Sequence, residues 1–300
     1  MTLRATHELG RSVAVTAGDV ELFTYVYSPD TPVLESPKPY LHPIRTRGGA
    51  LVSLYRPHDH VWHKGIAWSL PCVGEHNFWG GPTYVAGEYV QLDNNGSATH
   101  REMTTLTAAA DRVEIGHTLG WTAQSGDPVI EERRGLAATL IDDATWALLF
   151  ETEMTNVSGA TIDFGSPTTK GRENAGYGGL FWRGPRSFTD GVIQSPQGAG
   201  GDELRGLRAE WFGFRGRHDE SGDHSTIVMV DDAANPRHPP RWFARTEHFA
   251  CLNPAPFFSE EVPLPDGETI RFRYAVVIAD GDRGEDGTAL LAKQGRDVLR

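Results

Sequence analysis

The sequence predicts an all-β protein, a large antiparallel sandwich or barrel with one short C-terminal helix. Three observations carry this expectation. Apolar and polar residues alternate in segments from end to end, helix-type periodicity is nearly absent, and turn residues separate the alternating segments. The 300 residues include 34 Gly, 19 Pro and 8 Trp, a composition that suits many short strands joined by turns.

The clearest alternation places Val113, Ile115, His117, Leu119 and Trp121 on one strand face. Ile270, Phe272, Tyr274, Val276 and Ile278 repeat the pattern, with Arg271 and Arg273 on the opposite face. Further strands are expected at 12–16, 20–27, 65–70, 102–109, 135–140, 145–156, 207–214, 225–230 and 241–246. Asn94-Asn95-Gly96, Ser125-Gly126-Asp127-Pro128, Ser221-Gly222-Asp223 and Pro265-Asp266-Gly267 supply turns between them. The best helix signal is Asp286–Leu299, where Ala289, Leu290, Leu291 and Val298 make an apolar stripe. The stretch Gly165–Gly201 is rich in glycine and aromatics, which suits an ordered loop region. No repeat, low-complexity tract or linker divides the chain, so residues 1–300 are expected to form a single domain.

Charge and cysteine content narrow the function classes. The formal net charge is −12; an acidic surface repels phosphate backbones, so no nucleic-acid partner is expected. No run approaches the ~18–20 apolar residues of a membrane span, so no membrane partner is expected either. The N-terminal stretch has no long apolar run after its basic residues, which argues against a signal peptide and makes the cytoplasm the expected compartment. Two cysteines, Cys72 and Cys251, form neither a disulfide scaffold nor a cysteine metal site. Their apolar neighbours favour two buried thiols over one disulfide.

Four segments carry candidate chemistry. The most informative pairs Lys38-Pro39-Tyr40-Leu41-His42-Pro43-Ile44 with Arg56-Pro57-His58-Asp59-His60-Val61-Trp62-His63-Lys64-Gly65. In an extended chain His58 and His60 share a face, and His63 rejoins them if the chain turns after Trp62. Such a trio suits proton transfer near neutral pH. It equally suits a divalent transition metal, with His58, His60 and His63 as ligands. The bland alternative is that these histidines tie loops together beneath the tryptophans.

The second segment, Glu75-His76-Asn77-Phe78-Trp79-Gly80-Gly81, joins aromatics to polar groups and glycine turns, as a sugar face requires. The third spans Lys170 to Gly184 and offers Arg172, Glu173, Tyr177, Trp182 and Arg183 among glycines that let backbone approach a ligand. Glu173 is the expected carboxylate partner of the histidine loop. In the fourth, His238 before Pro239 suits a rigid loop, Glu247 and His248 fall within reach of a site, and Phe249, Phe257 and Phe258 suit the core.

KPYLHPI (38–44), RPHDHVWHKG (56–65), HNFWGG (76–81), GGLFWRGPR (178–186) and NPRHPPRWF (235–243) together resemble a bacterial PmoA-like family of unknown function, DUF6807. The resemblance runs through most of the chain. The label's literal oxygenase sense does not carry over, since subunits of particulate methane monooxygenase are membrane proteins and no span is present here. The layout also resembles the galactose-mutarotase-like supersandwich, which implies a large antiparallel two-sheet supersandwich. Aldose epimerases on that fold use His as acid and Glu as base on a sugar ring; that implies a type of chemistry, without a residue-by-residue match.

The combined expectation is a carbohydrate-processing protein with epimerase- or lyase-like acid–base chemistry. His58, His60, His63 and Glu173 are the expected catalytic set. His42, Trp62, His76, Asn77, Trp79, Arg172, Tyr177, Trp182, Arg183 and His248 are the expected substrate contacts. The expected partner is a small molecule of carbohydrate type. No cofactor is expected, a three-histidine metal site being the alternative, and a non-catalytic sugar-binding module is the alternative from another class.

Overall fold

The computed structural model describes residues 2–300. Two large sheets dominate. The first holds eight strands in the order Leu3–Glu8, Ser12–Ala17, Val20–Val26, Tyr40–Ile44, Ile66–Ser69, Gly179–Arg183, Cys251–Ala255, Arg241–Arg245. The second holds nine, in the order Gly198–Gly200, Val192–Ser195, Trp211–Arg217, His224–Asp231, Thr269–Asp280, Thr145–Asn156, Pro128–Asp142, Arg112–Thr122, Ser97–Ala108. Neighbouring strands in both sheets pair antiparallel. The expected all-β, two-sheet antiparallel fold with a single C-terminal helix is therefore what forms.

Alternation explains how the sheets meet. Ile270, Phe272, Tyr274, Val276 and Ile278 point into one continuous core with Val13, Val15, Trp68, Trp121, Trp146, Trp182 and Trp242. On the opposite face, Arg271 and Arg273 pair across the strand with Glu153 at 2.8 Å and Glu151 at 2.6 Å. Further along, that same face becomes apolar: Ala275, Val277 and Ala279 lie under the helix Gly284–Val298 with Leu291 and Ala292. Gly295 permits this close packing, because a Cβ there would meet Val230 at 2.6 Å. Glu285 and Asp286 in the first turn complement the helix dipole.

The sequence reading missed strands for an instructive reason. Gly179–Arg183 and Cys251–Ala255 are buried at every residue. A strand covered on both faces shows no alternation. The stretch expected as loop, Gly165–Gly201, in fact holds three strands: Gly179–Arg183, Val192–Ser195 and Gly198–Gly200. Cys72 and Cys251 are free and buried, and burial pushes both thiols up to about 12. Among the described residues, no helix is long and apolar enough to cross a membrane.

One part of the core is polar. Glu132 and Arg134 form an ion pair at 2.7 Å with almost no exposure. Trp121 Nε1 donates to Glu132 at 2.7 Å and Thr152 Oγ1 donates at 2.8 Å, so the carboxylate is fully engaged. Tyr25 Oη, beside Arg134, shares a hydrogen bond of 2.8 Å with His117 Nε2, and His117 Nδ1 meets His100 Nδ1 at 3.0 Å. Removing one partner of such a pair leaves an uncompensated buried charge.

Two predictions follow from this core. Glu132→Ala should lower unfolding free energy in urea by about 3–5 kcal/mol; a change within error would mean the pair is not integral. Burial, aided by the Arg134 charge, lowers His117 to about 2, below the ~6.5 of an unfolded histidine. The unfolded chain therefore binds the extra proton, and this stability is complete above that unfolded value and declines below it. The melting temperature should fall from about pH 7.5 to pH 5, and less steeply in His117→Asn; equal slopes would contradict the assignment.

Candidate functional site

The outer face of the eight-stranded sheet carries a second apolar surface. In Gly179–Arg183, Trp182 points inward to the core and Phe181 points outward. In Arg241–Arg245, Trp242 and Ala244 point inward while Phe243 points outward. Phe181 and Phe243 join Trp79, Phe249, Cys251, Ala255 and Phe258 in an apolar cluster, with Trp62 and Tyr177 packed on it. Loops cover this cluster incompletely and leave a cavity of about 310 Å³. That is near the lower end of small-molecule sites, ~300–1,000 Å³.

The histidine loop forms one wall, and a buried carboxylate holds it there. Glu35, 1% exposed, accepts from Lys64 Nζ at 2.6 Å and from Arg56 Nε at 3.0 and 3.1 Å. These two cations bracket the Pro57–His63 stretch. Burial opposes ionisation of Glu35, but hydrogen bonds from Arg56 and Lys64 outweigh it and hold the carboxyl below its usual range. Lys38, also buried, donates to the backbone oxygens of Glu35, Ser36 and Trp79 at 3.1, 2.9 and 2.8 Å. It thereby ties the loop carrying Trp79 to the same anchor. Gly80 and Gly81 adopt positive φ against Trp62; a Cβ on Gly81 would lie 2.6 Å from the indole ring.

Within the loop, His60 N–H donates to Pro57 O at 3.0 Å and His63 N–H donates to His60 O at 2.9 Å. Two successive turns replace the extended chain expected from the spacing. His60 and His63 consequently stack, ring centroids 4.7 Å apart and planes 16° from parallel. His58 is left exposed, outside the cavity lining. The three imidazoles thus do not converge, whereas a metal needs nitrogens ~2.0–2.1 Å from one point. Among the described residues, no group of three or more His, Cys, Asp or Glu is placed to hold a metal ion.

The other expected site residues divide clearly. His60, Trp62, His63, Trp79, Arg172 and Tyr177 line the cavity. Arg183 lies just behind it, fully buried, with Cζ 3.8 Å over the Phe249 ring and Nη1 3.3 Å from His63 Nδ1. Glu173 is exposed and does not line the cavity, so the expected His–Glu pair does not form. Trp182 cannot stack on a ligand there, since it is fully buried on the opposite face and donates to Val52 O at 2.8 Å. Asn77 is structural: its Oδ1 accepts from the N–H groups of Trp79 at 2.8 Å and Gly80 at 3.0 Å.

His42 hydrogen-bonds Ser53 Oγ at 2.9 Å and stacks on Tyr55, away from the lining. His76 borders a different hollow beside Cys72 and Thr83. His248, at positive φ, contributes only its carbonyl, to Arg186 at 3.2 Å. Phe257 and Phe258 are buried as expected, whereas Phe249 is both buried and part of the cavity wall.

Several lining residues escaped the sequence reading: Pro82, Tyr89, Phe181, Phe243 and Arg245. Phe243 and Arg245 were legible in principle, because residues two apart on the expected strand 241–246 share a face. Glu35 had no signal, since a lone Glu in a proline-rich stretch looks like surface.

Electrostatically the cavity is unusual for so acidic a chain. Burial lowers the pKa of both histidines, His63 most strongly; Asp59 opposes this at His60 without reversing it, and the positive charge of Arg183 adds to it in each. Both rings are therefore neutral at pH 7. Arg183 can only donate, so its contact makes His63 Nδ1 an acceptor and puts the ring proton on Nε2. Asp59 sits 3.3 Å from His60 Nδ1 and 2.6 Å from Arg186. Asp59 is held down at about 2: burial opposes ionisation, but the hydrogen bond from Arg186 and the proximity of His60 outweigh it. His60 Nδ1 has no hydrogen-bond partner, so Asp59 acts on it through charge alone, which favours a proton on Nδ1 and a free Nε2.

A wider hollow of about 570 Å³ lies on the outer face of the nine-stranded sheet, near Arg101, Trp121, Glu131 and Arg133. No histidine among the described residues lines it, and Trp121 is its single aromatic. The cavity on the other sheet brings two imidazoles together with seven aromatic side chains.

If Glu35 anchors the histidine loop, Glu35→Gln should speed amide hydrogen exchange at Arg56, His60 and His63 while leaving Thr145–Asn156 protected. Unchanged exchange in the loop would show that it is held by other contacts.

The fold can be set beside solved structures. The chain is similar to a heparan sulfate lyase from Pedobacter heparinus, at 8% identity and a TM-score of 0.42, over 94% of this chain and 37% of that one. It thus spans little more than a third of the lyase. It is similar to galactose 1-epimerase from Lactobacillus acidophilus, at 10% identity and a TM-score of 0.41, over 94% of this chain and 100% of that one. An aldose epimerase homologue from C. elegans matches at 9% identity and a TM-score of 0.36, over 93% and 99% of the two chains. No curated protein matches the sequence. The model of a family of unknown function, DUF6807, matches residues 12–293, and the chain belongs to that family.

Proposed function

We propose that this protein is carbohydrate-active, holding a single sugar ring in the cavity and exchanging a proton with it through His60. The observation that carries this reading is the stacked, neutral pair His60–His63 in a cavity walled by Trp62, Trp79, Tyr177 and Phe249. Aromatic faces suit the apolar faces of a pyranose ring, and a small number of placed polar groups orients it.

The two imidazoles take complementary roles. His60 Nε2, with Asp59 behind the other nitrogen, accepts the proton. His63, whose Nδ1 is occupied by Arg183, offers Nε2–H as a hydrogen-bond donor to a ring or carbonyl oxygen. Proton exchange at a sugar carbon or hydroxyl is the step such a pair supports, as in epimerisation or elimination. Two-carboxylate glycoside hydrolysis lacks support, because no carboxylate among the described residues lines the cavity.

The test is turnover of a panel of aldoses and sugar acids, followed by NMR, in the parent and in His60→Gln. The variant should lose about 10²–10⁴-fold in kcat with a smaller change in KM. Undiminished turnover would overturn the proton role. Saturable binding by the parent with no product would replace the enzyme with a sugar-binding module.

A further inference from the structure

We propose that the sugar held in this cavity carries a carboxylate, and that Arg245 and Arg172 select the acidic sugar over its neutral counterpart. The inference rests on the reading of the cavity as a sugar site and names the class of sugar.

The charge around the cavity opposes that of the chain. The protein carries a net charge of −12, yet the charged residues lining the cavity are Arg172 and Arg245. Arg183 lies directly behind Phe249 and His63. Arg205 stacks over Phe243 at 5.5 Å, and Arg186 pairs with Asp59 at the rim. Two nearby aspartates, Asp59 and Asp202, neutralise two of these five arginines, Arg186 and Arg205. Asp59 is held by Arg186. Asp202 is held by Arg205 and by the backbone N–H groups of Thr246 at 2.6 Å and Glu247 at 3.2 Å. Arg245 stands 3.7 Å from Asp202, and its buried Nε has no hydrogen-bond partner.

Arg183 is the sharper anomaly. It is fully buried, and its Nε and Nη2 lack hydrogen-bond partners. A buried guanidinium without a carboxylate is costly. It is tolerated through its contact with the Phe249 ring, a cation–π interaction. An anion in the adjoining cavity would relieve that cost through space, and a guanidinium at the cavity wall can bind a carboxylate with two parallel hydrogen bonds. Arg172, which donates to Tyr89 Oη and lies 4.8 Å from that ring, faces the cavity from the opposite loop. An anion there also stabilises the imidazolium that His60 becomes once it has taken the ring proton.

The experiment is calorimetric titration of the intact protein with glucuronate and galacturonate, alongside glucose and galactose. The acids should bind at least tenfold tighter than the matching neutral sugars. Arg245→Gln and Arg172→Gln should each bring the acid-to-neutral ratio toward one, with Arg245→Lys retaining more of it. Circular dichroism confirms that each variant is folded; a variant that is not folded leaves the decision to the parent ratio and the other variant. Equal binding of acidic and neutral sugars by the parent would overturn the proposal and leave the sugar site standing. Binding of neither would overturn both.

Discussion

The eight-stranded sheet is apolar on both faces where Gly179–Arg183, Cys251–Ala255 and Arg241–Arg245 lie together, and its outer face must be covered. The inner face is buried by the nine-stranded sheet, with Trp182, Trp242 and Leu252 in the shared core. Among the described residues, loops and one small hairpin, Thr83–Val85 with Glu88–Val90, cover Phe181, Phe243 and Ala255, the hairpin bringing Tyr89 to the cavity. Such a cover packs less completely than a sheet or a long helix. The cavity is what remains uncovered. On the nine-stranded sheet the corresponding problem is solved by the helix Gly284–Val298. The two outer faces thus diverge: the apolar part of one lies under a helix, and the apolar part of the other lies under loops.

A loop over a cavity has little packing beneath it, so polar contacts must hold it. Glu35 does this with Arg56 and Lys64, and Lys38 extends the anchor to Trp79. Buried ion pairs are weak evidence for stability, because desolvation offsets much of the attraction. Their clearer effect here is positional. The anchor fixes the two ends of the turn pair, and the turn pair stacks His60 on His63. Glu132 and Arg134 inside the sandwich are likewise saturated with partners.

Much of this was legible in the sequence. Strands with one less buried face, such as Arg112–Thr122 and the first half of Thr269–Asp280, announced themselves through alternation, and so did the helix through its apolar stripe. Strands buried on both faces did not, which is why the stretch containing Phe181 was expected as loop. The histidine segment was correctly located, since His60 and His63 line the cavity, but its geometry was not. Extended spacing would have paired His58 with His60; two turns paired His60 with His63 instead. Trp182 was among the expected substrate contacts and Phe181 was not, although the strand's alternation sends the tryptophan inward. Glu173, placed near the site in sequence, is exposed in space. Glu35 was invisible because its role depends on two cations more than 20 residues downstream.

The central claim is that ligand chemistry belongs to the outer face of the eight-stranded sheet. Indole N–H resonances of ¹⁵N-tryptophan-labelled protein test it directly. Trp62 and Trp79 line the cavity, whereas the indoles of Trp121, beneath the wider hollow on the other sheet, and Trp182 lie in the core. On titration with sugar acids, the Trp62 and Trp79 signals should shift while those of Trp121 and Trp182 stay in place. Shifts centred on Trp121, with Trp62 and Trp79 unmoved, would contradict the account.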